Sequence, residues 1–123
     1  MSDAIKHECG IALLRLKKPL AFYKEKYGSA FYGIQKMYLL MEKQHNRGQD
    51  GAGLASIKLD VNPGERYISR VRSNDTQAMQ DVFKQINERV NEEMTLHPEY
   101  ADNVALQKAN IPYIGELFLG HVR

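Results

Sequence analysis

A single cysteine is the scarcest informative residue of this chain, and its scarcity excludes several classes of protein. Only Cys9 carries a thiol among the 123 residues, so the chain can hold neither an internal disulfide framework nor a cysteine-rich zinc module. The four histidines also lack the spacing of metal ligands. We therefore predict no metal site and no cofactor held within this region.

Other absences concern membranes, secretion and nucleic acids. No apolar run approaches the ~20 residues of a membrane span, and residues 1–8 lack the apolar stretch and cleavage site of a secretory signal. We therefore expect a cytoplasmic protein. The 17 Lys and Arg residues against 15 Asp and Glu give a net charge of +2, which is too balanced to indicate a nucleic-acid partner. What is present is a chain of one-domain length with 43% hydrophobic residues, enough for a packed core.

The spacing of apolar residues predicts a mixed order of strand, helix, hairpin, helix and strand. Apolar residues barely alternate at 9–16, which predicts a strand buried on both faces. Residues 29–43 have helical spacing, with Ser29 as the N-cap. The remaining predictions are a loop at 45–53, a hairpin over 54–72, a helix from the capping cluster 73–76 to about Met94, a partly helical piece at 98–109 and a final strand at 115–122.

Cys9, at the start of the first apolar run, has two interpretations. Free cysteines are usually small buried hydrophobes. If residues 1–8 were removed, however, Cys9 would carry a free α-amine beside its own sulfur. An α-amine has a pKa near ~8 and can act as the general base without a histidine. Gly10 would then leave room for a substrate backbone or an oxyanion.

The glycine-rich segment at 45–53 and the last residue of the chain are also ambiguous. The segment is either an ordinary helix-to-strand connection or a binding loop. In the second case, Arg47 and the backbone NH groups near Gly48 would hold an anionic or amide-bearing substrate. Arg123, at the end of the final predicted strand, is either a solvated residue or a binding group.

Three segments become informative when they are taken together: CGI at 9–11, QHNRGQDGAG at 44–53 and GHVR at 120–123. In this order they resemble the glutaminase domain of the class II glutamine amidotransferases, which are N-terminal-nucleophile hydrolases. The pair Gln49-Asp50 after Arg47-Gly48 is most similar to the amidophosphoribosyltransferases, which supply ammonia to phosphoribosyl pyrophosphate in purine biosynthesis. The resemblance spans most of the chain, from Cys9 to Arg123.

The resemblance implies an α+β fold of the four-layer αββα kind. Residues 1–8 would be a propeptide-like extension, and residues 9–123 would supply only the first part of the domain. After cleavage, the thiolate of Cys9 would attack the side-chain amide of glutamine to give a thioester and ammonia. Arg123 matches the arginine that pairs with the α-carboxylate of glutamine, a bidentate and charge-assisted contact. Arg47 and Gly48 match the loop that walls the nucleophile pocket.

The chain departs from the family pattern in two places. Asn46 stands between His45 and Arg47, where the family usually has Gln-His-Arg-Gly without a break. The family's oxyanion-hole Asn-Gly pair and its amine-binding aspartate lie after the His-Val-Arg segment and have no counterpart here. Since oxyanion donors contribute roughly 3–4 kcal/mol in other enzymes, we expect these 123 residues alone to have little or no activity.

The resemblance also implies partners. The substrate would be glutamine, and an ammonia-accepting synthase domain would follow in cis beyond residue 123, where Mg²⁺ would accompany phosphoribosyl pyrophosphate. No membrane or nucleic acid is expected, and a homo-oligomer stays open. Two alternatives also stay open: a glutaminase domain coupled to another acceptor, and a non-catalytic binding or regulatory domain that retains the fold.

Overall fold

A four-stranded antiparallel sheet with helices packed on one face forms the structure. The computed structural model describes residues 10–44 and 51–123. The strands are β1 (Gly10–Arg15), β2 (Ala52–Ile57), β3 (Ile68–Ser73) and β4 (Leu117–Val122), in the spatial order β1-β4-β2-β3. The helices are α1 (Leu20–Tyr27), α2 (Tyr32–Lys43), α3 (Ala78–Leu96), a short 3₁₀ helix (Pro98–Tyr100) and α4 (Val104–Asn110).

The predicted α+β class is confirmed, and the predicted elements occur in the predicted order, with small differences at the helix starts. Helix α1 is an additional element that the sequence did not predict. The first long helix begins at Tyr32, and the hydroxyl of Ser29 accepts a hydrogen bond from the Phe31 amide, 2.9 Å away, in the turn before it. In the same way, the carboxylate of Asp75 accepts from the Gln77 amide just before α3 begins. Both residues therefore order the approach to a helix rather than capping its first turn.

The prediction that the first strand is buried on both faces is wrong. Ala12 is buried, whereas Ile11 and Leu13 are 71% and 63% exposed. Helices α2 and α3 both pack on the face of the sheet that carries Ala12. We call the other face the open face; its apolar side chains belong to Ile11, Leu13, Ala55, Ile57, Ile68, Leu117 and Leu119.

The core lies between the covered face of the sheet and the helices. From the sheet it receives side chains that alternate with those of the open face, and from α2 and α3 it receives one apolar stripe each. These residues are all 6% exposed or less: Ala12, Leu54, Phe118 and Val122 from the strands, and Ile34, Met37, Met41, Met79, Val82 and Ile86 from the helices.

Gly33 of α2 packs directly against the ring of Phe118, and this contact predicts a loss of stability in Gly33→Ala. An added Cβ would overlap ring carbons of Phe118, which is 1% exposed and cannot move aside. We expect a loss of about 1–3 kcal/mol in the free energy of unfolding, although alanine is the better helix former.

The matched control is Gly120→Ala on the facing strand. Its Cβ would lie 2.6 Å from the sulfur of Met41 and 2.9 Å from the terminal methyl of Met37. Since methionine side chains adapt easily, this variant should lose less stability. Urea unfolding midpoints compare the two, and a Gly33→Ala variant as stable as the unaltered protein would contradict the packing described.

Candidate functional site

One end of the sheet brings together the segments that carry the sequence-predicted site residues. The strand register places Gly10, Val122, Ala52 and Ser73 side by side in one row, which we call the site row. In the sequence, Cys9 precedes Gly10, the segment 45–50 ends two residues before Ala52, and Arg123 follows Val122. Three motifs that are far apart in the chain therefore lead to the same sheet end.

Arg123 is the one sequence-predicted site residue that the structure describes. Its amide donates to the carbonyl of Gly51 at 2.9 Å, and the Gly51 amide donates back at 3.3 Å, so the ladder between β2 and β4 extends one residue beyond the site row. The side chain of Arg123 is exposed. A Cβ on Gly51 would lie 3.8 Å from its Nε and 3.2 Å from Oδ1 of Asn74. The base of the guanidinium group therefore lies beside the end of the glycine-rich segment.

Gln44 fixes the end of α2 against the start of β1. Its side-chain Nε2 donates to the carbonyl of Ile11 at 2.9 Å. A Cβ on Gly10 would lie 2.8 Å from the Cβ of Gln44, so this close approach requires glycine at position 10. On the covered face, Gly10 therefore makes room for Gln44, the first residue of the second motif.

Cys9, Arg47 and Gly48 lie outside the described residues, and their roles stay predictions. The predicted loop at 45–53 is shorter at its end than the sequence indicates, since Ala52 and Gly53 belong to β2. Gly53 lies within β2, where its lack of a side chain gives space to a residue of the neighbouring strand. The imidazole of His121 lies across it on the open face, and a Cβ there would be 2.5 Å from Nε2 of His121.

A cavity of about 640 Å³ occupies the open face next to the site row. Arg70 and Arg72 of β3 line one side, and Ile11 and Leu119 line the other, with His121 between them. The cavity is therefore cationic on one side and apolar on the other. From composition alone, Arg70 and Arg72 would be interpreted as ordinary solvated residues. The alternation of the 54–72 hairpin was the signal that places both of them on one face.

The lysine with a perturbed pKa lies at the opposite end of the sheet. Lys58 follows β2, and its ammonium donates to the carbonyls of Lys108 and Ile111 at the end of α4, the latter at 2.9 Å. Burial, and secondarily the charge of Lys108, lowers the pKa of Lys58. Lys108 in turn lies 2.7 Å from a carboxylate oxygen of Glu116, which precedes β4. This ionic cluster fastens α4 to the sheet and takes no part in the candidate site.

Neither a metal centre nor a membrane span is found in the parts of the chain that the structure covers. Residues 10–44 and 51–123 contain no group of three His, Cys, Asp or Glu side chains placed to hold a metal ion. In the same ranges, no helix is long and apolar enough to cross a membrane.

Comparisons with family models, with curated proteins and with solved structures each find no match to this chain.

Proposed function

We propose that this chain carries the nucleophile and the carboxylate-binding arginine of a class II glutamine amidotransferase. The observation that supports it best is the site row, which leads the three family-like motifs to one sheet end. Paired residues on antiparallel strands lie roughly 4.5–5.5 Å apart. Cys9 and Arg123 therefore leave from neighbouring backbone positions, Gly10 and Val122. Within the class, Gln49-Asp50 favours an amidophosphoribosyltransferase, with phosphoribosyl pyrophosphate as the acceptor.

The proposed reaction converts glutamine and water into glutamate and ammonia. With residues 1–8 removed, the α-amine of Cys9 accepts the thiol proton, and the thiolate attacks the side-chain carbonyl carbon of glutamine. The same amine returns the proton to the departing nitrogen, which leaves as ammonia, and the glutamyl group stays on the Cys9 sulfur as a thioester. Water then adds to the thioester and releases glutamate. Arg123 holds the α-carboxylate throughout, because its guanidinium offers two parallel donors.

The one-sided sheet supports the finer part of the fold proposal. An αββα domain stacks two sheets between two helix layers, and the described residues supply one helix layer and one sheet. The open face exposes Ile11, Leu13 and Leu119, which are 71%, 63% and 43% exposed. We propose that a second sheet covers this face at a spacing of roughly 10 Å. The oxyanion donors and the synthase domain, with its Mg²⁺ and phosphoribosyl pyrophosphate, would belong to the same protein.

The experiment that tests the proposal is glutamine hydrolysis by the protein purified from its native host, with and without phosphoribosyl pyrophosphate. Without phosphoribosyl pyrophosphate we expect glutamate and ammonia in equal amounts; with it, glutamate should exceed free ammonia, because the acceptor consumes the ammonia. Asparagine, one methylene shorter, is the control substrate and should react much more slowly, because its amide would not reach the thiol while Arg123 holds its carboxylate. Protein with an amino-terminal Cys9 that releases no glutamate under either condition would overturn the proposal.

A further inference from the structure

The helices divide the chain into two regions of opposite charge. Residues 15–43 contain seven Lys and Arg against two Glu, a net charge of +5. Residues 74–102 contain seven Asp and Glu against two Lys and Arg, a net charge of −5. The small net charge of the whole chain therefore conceals two equal and opposite charges, each on its own segment of the chain.

The positive region contains an exposed aromatic surface surrounded by lysines. The rings of Tyr27 and Tyr32 stack with their centres 4.4 Å apart. The ammonium of Lys26 lies 5.6 Å from the ring centre of Phe22 and 5.5 Å from that of Tyr27, which are 38% and 50% exposed. Two further lysines lie over Phe22 and Tyr32. We call this surface the basic patch: Lys18, Phe22, Lys26, Tyr27, Tyr32 and Lys36.

The negative region contains a complementary surface at the end of α3. Glu88, Glu92 and Leu96 follow one another at four-residue steps and so share one face of the helix. Leu96 is 65% exposed. Within residues 10–44 and 51–123, neither Glu88 nor Glu92 forms a salt bridge, whereas Glu93 pairs with Arg89 at 3.3 Å. We call Glu88, Glu92 and Leu96 the acidic patch.

Both patches lie in the same helix layer. Helix α1 packs against α2 and α4, α4 packs against the 3₁₀ helix, and the 3₁₀ helix packs against α3. A two-fold axis can therefore place the basic patch of one copy on the acidic patch of a second copy, and the reverse contact forms at the same time. This symmetry satisfies both charges at once, without requiring any other partner.

We propose that two copies of this chain associate through their helix layers by pairing the basic patch of each with the acidic patch of the other. The ammonium groups of Lys26 and its neighbours face the carboxylates of Glu88 and Glu92. The exposed Leu96 packs on the exposed rings of Phe22 and Tyr27, where aromatic side chains give interfaces their largest contributions. The helices that carry the two patches lie on the covered side of the sheet, away from the open face, so the proposal is independent of the proposed function.

The test is a charge swap followed by sedimentation equilibrium. The unaltered protein should dimerise at ~0.05 M salt and dissociate progressively towards ~0.5 M, since salt screens exposed charges. Lys26→Glu alone and Glu92→Lys alone should each weaken dimerisation at least about tenfold, because attraction becomes repulsion at both symmetry-related contacts. Arg66→Glu reverses an exposed charge in the turn between β2 and β3, outside both patches, and should leave dimerisation unchanged.

Mixing the two single variants gives the sharpest outcome. In a mixed dimer, one of the two symmetry-related contacts carries both charge reversals and is attractive again, and the other carries neither reversal. Dimerisation should therefore return to near its original strength in the mixture. A protein that stays monomeric at low salt, or a dimer that survives both single reversals, would overturn the proposal; the second result would place the contact elsewhere, such as the open face.

Discussion

Replacing Cys9 by alanine is expected to abolish glutamine hydrolysis, with a fall in kcat of at least about 10⁴-fold. The reason is that the thioester route has no other nucleophile: Cys9 is the only cysteine of the chain. Cys9→Ser should also fall steeply, because a hydroxyl is ionised far less readily than a thiol. The measurement is glutamate release by protein whose residues 1–8 have been removed in every variant.

The stability of Cys9→Ala separates the two interpretations of this cysteine. A catalytic thiol can be removed with little change in the free energy of unfolding. A small buried hydrophobe would behave in the opposite way, since its removal lowers stability by the loss of apolar contact and leaves any activity in place. Full glutaminase activity in Cys9→Ala would refute the nucleophile assignment.

Arg123→Ala is expected to lower kcat/KM for glutamine by roughly 10²–10³-fold, largely through KM. Losing one partner of a hydrogen-bonded charge pair typically costs about 2–5 kcal/mol, and the α-carboxylate of glutamine would be left without its bidentate partner. Arg123→Lys should recover only part of the loss, because an ammonium does not offer two parallel donors. Steady-state kinetics of the two variants give this comparison.

A substrate without the carboxylate makes the Arg123 test specific. Glutamine amidated at its α-carboxyl group should be a poor substrate for the unaltered protein. Arg123→Ala should lower kcat/KM for this amidated substrate very little further, since the two changes remove the same interaction. Arg15→Ala is the matched control, because Arg15 lies on β1 at the opposite end of the sheet, paired with Leu117. If Arg15→Ala and Arg123→Ala raised KM equally, the carboxylate assignment of Arg123 would be wrong.

Local periodicity predicts most of the elements of this fold because each signal acts within a short stretch. The alternation in the 54–72 hairpin gives β2 and β3, and the stripe from Met79 to Val90 gives α3. Helix α1 receives no assignment, because Leu20 and Tyr23 are its only buried residues and provide too little pattern. The spatial order β1-β4-β2-β3 also lies beyond local signals, since it depends on pairing between distant segments.

The error in β1 has a specific physical cause. A run of apolar residues shows that both faces of a strand are apolar, but it does not show what covers each face. In the described residues α2 covers Ala12, while Ile11 and Leu13 face outwards. The sequence therefore indicated a strand suited to burial on both sides, and the structure shows which side the helices occupy.

The candidate site was likewise predictable from the sequence only in part. Motif order alone drew attention to Arg123, and the register then placed it beside Gly51 and the site row, which no local pattern could predict. The contact between Gln44 and Gly10 was also beyond the sequence, because it joins residues 34 positions apart. Arg70 and Arg72 became candidates only when the open face was known.

The intact mass of the protein purified from its native host tests the central claim most directly. An N-terminal nucleophile needs a free α-amine on Cys9, so the mass should correspond to loss of the eight residues Met1–Glu8. Sequencing of the amino terminus should then begin Cys-Gly-Ile. A protein that is fully expressed and active on glutamine yet retains residues 1–8 would contradict the mechanism, because a blocked Cys9 has no amine to act as its base.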